Sequence, residues 1–219
     1  MAPARPRPAF RSLLLAFLLT SSCGWADSAR EGVGDGPTAE LRGTRLANPI
    51  PRPDFSLIDT EGVEFDFDAR TKGYATLLFF GYTHCPDVCP IHMANIAAAL
   101  EQVGWQTRRR VQVVFVTTDP DRDTPERIRQ WLDRFDPAFV GLRGTVEEVA
   151  AIQDELNLPP SVIPSEPATG YEVGHAAQVL AFSPSGVATV AYPFGTRQAD
   201  WVHDLPLLAR TRGDDVMAR

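Results

Sequence analysis

Two nearly continuous apolar runs, Ala75–Gly81 and residues 111–116, constrain this chain more than any other feature. Runs of that length without polar alternation suit strands covered on both faces, so helices must lie on either side of a sheet. Between them, residues 88–103 read as a helix whose more apolar stripe is Met93, Ile96, Ala97, Leu100 and Val103. Beyond the second run, Thr124-Pro125-Glu126 supplies an N-cap, a proline at the first helical position and an acid in the first turn. These open a helix carrying Ile128, Trp131, Leu132 and Phe135. A short strand at 55–58 with a turn at Glu61-Gly62 precedes this core. A strand at 139–142, a helix at 146–156, a hairpin joining 177–182 to 187–192, and a terminal helical segment with Trp201, Leu205 and Leu208 follow it. Strand and helix alternate, which predicts an α/β layer fold. Pro206 is expected to kink or end the last helix. Trp131 and Trp201 fall on apolar stripes and are assigned to the core.

At 219 residues, 44% hydrophobic and 9% aromatic, the chain can bury one sizeable core, which argues against disorder, a collagen-like fibre or a disulfide-stapled miniprotein. Its 21 basic and 28 acidic side chains give a net charge of -7 and supply no broad basic face for nucleic acid.

The first stretch reads as an address. Arg5, Arg7 and Arg11 precede an apolar run at 13–19, and the small residues Thr20, Ser21 and Ser22 follow, the pattern of an export signal over residues 1–22. The run is well short of the roughly 20 apolar residues that cross a bilayer. Cys23 stands where a bacterial lipoprotein signal places its lipidated cysteine, so an exported protein, lipid-anchored at the outer face of the cytoplasmic membrane or in the periplasm, is expected. Cleavage by the ordinary signal peptidase with loss of Cys23, and an uncleaved anchor, are the alternatives. Residues 23–53, rich in glycine and proline and ending in Pro49, Pro51 and Pro53, read as a tether. The folded domain is expected over 54–208, with a frayed tail at 209–219.

The chemistry concentrates at Gly81-Tyr82-Thr83-His84-Cys85-Pro86-Asp87-Val88-Cys89-Pro90. Two cysteines four apart at a helix start lie one turn apart on one face, and unpaired backbone N–H groups there favour a thiolate. Paired thiolates select copper(I) or zinc, and one imidazole would complete a three-coordinate site that can also hold copper(II) with an added ligand. Two close thiols can instead cycle through a disulfide. A structural disulfide is the third reading, since an exporting compartment permits it.

These residues closely resemble the SCO/SenC family of copper chaperones for cytochrome c oxidase. The resemblance rests on the segment from Phe79 to Pro90 and on Asp119-Pro120-Asp121-Arg122-Asp123-Thr124-Pro125. It continues through Gly141-Leu142-Arg143-Gly144 and Tyr171-Glu172-Val173-Gly174-His175 to Ser183-Pro184-Ser185-Gly186. It implies a thioredoxin-like fold with a central mixed sheet flanked by helices, and Cys85, Cys89 and His175 as ligands of copper(I) and also of copper(II). It further implies delivery of that copper to the dinuclear site of cytochrome c oxidase subunit II, or to another exported copper protein. An exported thiol–disulfide oxidoreductase using Cys85 and Cys89 to keep a partner's cysteines reduced is the alternative. The family commonly has an aspartate where this chain has Gly174 and a serine or threonine where it has Ala176, a departure that bears on how the imidazole is oriented.

His84 and His92 are weaker ligand candidates, and His203 weaker still. Asp87 is expected to stabilise the helix terminus and Asp119 a strand-end turn, while Asp123 and Thr124 are read as capping residues.

Overall fold

The structure, a computed structural model, describes residues 40–164 and 170–210. The expected signal, Cys23 and the tail from residue 211 lie outside the described residues.

The chain builds β1 (Thr44–Pro51), β2 (Ser56–Asp59), β3 (Glu64–Asp66), α1 (Phe67–Thr71), β4 (Ala75–Gly81), α2 (Val88–Gln102) and α3 (Trp105–Arg108). It then builds β5 (Val111–Thr117), α4 (Pro125–Leu132), β6 (Val140–Arg143), α5 (Val146–Glu155), β7 (Gln178–Phe182), β8 (Val187–Pro193) and α6 (Gln198–Leu208). One mixed sheet runs in the order β1-β8-β7-β4-β5-β6-β2-β3. The strands β4, β5 and β6 are parallel, and the other pairings are antiparallel.

All seven residues of β4 are buried, as its unbroken apolar run requires of a strand covered on both faces. Its side chains alternate between two cores. Leu77 and Phe79 join Met93, Ile96, Trp131, Trp201 and Leu205 under α2, α4 and α6. Leu78 and Phe80 join Phe67, Val149 and Ile152 under α1 and α5. Thr124 caps α4 by accepting the Arg127 amide, and Thr145 with Glu148 forms a capping box on α5.

Three local expectations change. The tether does not extend to residue 53, because Thr44–Pro51 is an edge strand paired antiparallel with β8. An edge strand needs hydrogen bonds on one side only, so it tolerates Pro49 and Pro51, and the register shifts between Arg45 and Ile50. The fold is fastened still earlier: the Arg42 and Gly43 amides donate to the buried Asp204 carboxylate at 2.7 and 3.0 Å. Pro206 does not end α6, which continues to Leu208 and closes with the Ala209 amide on the Leu205 carbonyl, held by buried Trp201, Leu205 and Leu208. Asp123 is not a cap, since Thr124 alone occupies that position.

Candidate metal centre

The sheet order decides where the site forms. Because β7 runs antiparallel to β4, with Thr76 opposite Phe182 and Leu78 opposite Leu180, β7 begins beside the end of β4. The segment entering β7 carries His175, and the segment leaving β4 carries Cys85. The Sγ atoms of Cys85 and Cys89 and a ring nitrogen of His175 therefore gather within 4.8 Å of one another.

Cys89 lies in the first turn of α2 and is fully buried, while Cys85 sits just before the helix, 9% exposed. Gly81 makes room for the inner sulfur: a Cβ there would stand 2.7 Å from Cys89 Sγ and within 3.1 Å of the Phe79 and Phe115 rings. The two thiols have different chemistry. A hydrogen bond from the Cys89 thiol, aided by His175 and by the Cys89 and Asp87 amides, lowers the Cys85 pKa to about 3. Burial, reinforced by the neighbouring Cys85 thiolate, pushes the Cys89 thiol upward. The pair thus holds one proton at neutral pH, on the inner sulfur. Both cysteines are free.

His175 points Nε2 at Cys89 Sγ, 3.5 Å away, and its ring stands edge-on to Phe79 and Tyr82. Its Nδ1 donates to the Ala176 carbonyl at 3.1 Å, which turns the Nε2 edge of the ring toward the sulfurs. A backbone carbonyl thus orients the imidazole in a chain that has Gly174 in place of a carboxylate. Gly174 itself exchanges backbone hydrogen bonds with Val162, and a Cβ there would meet nothing nearer than 3.6 Å.

The structure separates the other histidines from this cluster. His84 is exposed and turns to Asp123 and Thr83, at 3.4 and 3.3 Å. His203 pairs with Asp204 in α6. His92 is 2% exposed and donates from Nε2 to the Ala177 carbonyl at 3.0 Å, its ring packed on Phe79. It therefore fastens the His175 segment to the helix that carries Cys89. His92→Phe keeps the ring volume but strands the Ala177 carbonyl, and a loss of about 1–3 kcal/mol is expected in denaturant unfolding, with partial recovery in His92→Gln.

Asp123 has a role that its place before a helix concealed. It is fully buried and accepts the Thr83 amide and hydroxyl at 2.9 and 2.6 Å and the Thr117 hydroxyl at 2.6 Å. It thus ties the cysteine loop to the end of β5. Asp119 forms the expected turn, accepting the Arg122 and Asp123 amides, and its carboxylate also takes Arg122 and, at 2.8 Å, the Tyr171 hydroxyl. Arg122 lies 3.5 Å above the Tyr171 ring and donates to the Tyr171 carbonyl, so this turn braces the segment leading to His175. The group His84, Asp119 and Asp123 also lies within 4.8 Å, but these bonds already engage its carboxylates. Asp87 occupies the N-cap position of α2 without a side-chain cap bond; its amide serves Cys85 instead.

Residues 44–209 match the SCO1/SenC family model. The chain is 32% identical over 156 residues to the mitochondrial SCO2 homologue of Bos taurus, a match covering 71% of this chain and 58% of that protein, so it spans little more than half of the bovine relative. Its fold superposes on the solution structure of apo Sco1 from Thermus thermophilus with a TM-score of 0.68 and 32% identity, covering 79% of this chain and 99% of that one. The copper-bound structure of ScoI from Bradyrhizobium japonicum gives a TM-score of 0.62 at 30% identity, covering 72% and 99%. The mixed sheet flanked by helices is thus the expected thioredoxin-like arrangement, and the match over almost all of the described residues places this chain in the SCO1/SenC family.

Proposed function

We propose that this chain is a copper metallochaperone of cytochrome c oxidase assembly, exported and lipid-anchored through Cys23, that carries copper to the dinuclear site of subunit II. The convergence of two sulfurs and one imidazole nitrogen at the mouth of a loop is the observation that carries this reading. Soft thiolates favour copper(I), and the imidazole allows copper(II) to be held with an added ligand. The copper-bound Bradyrhizobium relative supports copper over zinc.

Cys85 and Cys89 hold the cargo with His175. Low coordination number leaves room for a partner thiolate to attack, and Cys85, at the rim beside exposed Pro86 and Asp87, is the position from which exchange begins. Exposed Ile91 and Phe194 supply apolar contact for the partner, Phe194 lying against the His92 ring.

Because Cys85 is already ionised and Cys89 is not, uptake of copper(I) must release the Cys89 proton. Anaerobic titration of the reduced protein near neutral pH should give one bound copper with about one proton released, and affinity should rise about tenfold per pH unit. Release of two protons would show that the free pair holds both, and binding no tighter than to an unrelated reduced protein would refute the reading.

The asymmetry of the thiols also supports the second reading, thiol–disulfide exchange. A rim thiolate that attacks and an inner thiol that resolves is the arrangement such exchange requires. Turnover of a model disulfide without copper would shift weight to it.

A further inference from the structure

The pole of the sheet opposite the thiols carries charge and aromatic rings that copper handling does not use. The strands β4 and β5 lie in register from Ala75 opposite Val111 to Gly81 opposite Thr117. The cysteine loop follows Gly81, so the residues preceding Ala75 and Val111 lie a strand length away, roughly 20 Å. There the Ala75 amide donates to the Arg110 carbonyl at 2.9 Å and brings two short segments side by side. One holds Lys72 and Tyr74, the other Trp105, Arg109 and Arg110.

Lys72, Arg109 and Arg110 are exposed. Tyr74 is 41% exposed and Trp105 67%, the largest exposure of any bulky apolar side chain among the described residues. The Arg109 guanidinium lies 4.9 Å from the Trp105 ring centroid, so cation and indole present together. The acids nearby are partly neutralised: Asp136 pairs with Arg108 at 2.6 Å and Asp68 with Arg52 at 4.0 Å, while Glu101 is exposed. Among the described residues Lys72, Arg109 and Arg110 pair with no carboxylate, although the chain carries a net charge of -7.

We infer that this pole is a docking surface for an anionic phospholipid bilayer. The cations complement lipid phosphates, and tryptophan and tyrosine, each with an apolar body and a polar tip, settle at headgroup level. An acidic protein would complement the cations, but it gives no comparable reason for two amphipathic rings at one open rim. Docked this way, the domain faces its cysteine loop away from the bilayer. The inference goes beyond copper carriage and holds whatever the cargo.

The test is sedimentation of the full-length protein with vesicles of phosphatidylcholine alone and with vesicles that also contain phosphatidylglycerol. The parent is expected to favour the anionic vesicles, and Lys72→Glu/Arg109→Glu/Arg110→Glu to lose that preference by about tenfold or more, with copper binding and circular dichroism unchanged. Brominated lipid should quench parent fluorescence more than that of Trp105→Phe. The inference is overturned if the triple variant keeps the parent's preference, which would place the anionic-lipid contact elsewhere on the chain. Equal quenching of parent and Trp105→Phe would overturn it too, as would a triple variant that keeps vesicle binding but loses an acidic protein partner.

Discussion

Serine at position 85 or 89 is expected to lower copper(I) affinity by more than about a hundredfold, beyond the 10–100-fold that loss of a supporting outer partner typically costs. The two variants fail for different reasons. Cys85→Ser removes the group that is already a thiolate at neutral pH. Cys89→Ser leaves a hydroxyl able to donate to Cys85, so the rim thiolate survives while the inner ligand is lost. His175→Ala should cost less for copper(I), which two thiolates can hold, and more for copper(II), which draws on the imidazole. Anaerobic competition against a chromophoric copper(I) chelator, with circular dichroism as a check on folding, reads these differences. Parent-like affinity in either serine variant would remove the pair from the site.

Asp123→Ala should be the most damaging substitution outside the cysteines. It leaves the Thr83 amide and the Thr83 and Thr117 hydroxyls without their acceptor in a fully buried position. Each stranded group costs about 1–3 kcal/mol, and allowing for rotation of the hydroxyls the loss should be about 4 kcal/mol. For a domain of this size that corresponds to roughly 10 °C in Tm. Asp123→Asn, which keeps one acceptor oxygen, should fall between. Because Thr83 stands two residues before Cys85, copper affinity should fall as well. A Tm within about 2 °C of the parent in Asp123→Ala would show that the network does not hold the loop.

The sequence carried the central elements well because their signals are local. The unbroken run of β4 admits little but a strand buried on both faces, and Thr124-Pro125-Glu126 writes the start of α4 in three adjacent residues. Short elements were illegible for the same reason. The five-residue α1 and four-residue α3 are too brief to show a helical period, and β1 hides its strand behind two prolines that only an edge position permits. Asp123 looked like a cap because its neighbour Thr124 is one. Its true partners are Thr117 and, 40 residues away, Thr83.

By itself the sequence placed two cysteines four apart where a strand hands over to a helix. But Cys85 lies in the loop before α2, so the turn of that loop, with the Cys89 amide on Cys85 Sγ, and not helical periodicity, brings the sulfurs together. The sequence pointed to His175 only through the family's motifs. What brings that imidazole within 3.5 Å of Cys89, 86 residues away, is the insertion of β7 antiparallel beside β4. The difference in proton affinity between the thiols was likewise decided by tertiary structure. Two cysteines in one short motif receive unequal burial from the packing around α2, and burial sets which one stays a thiol.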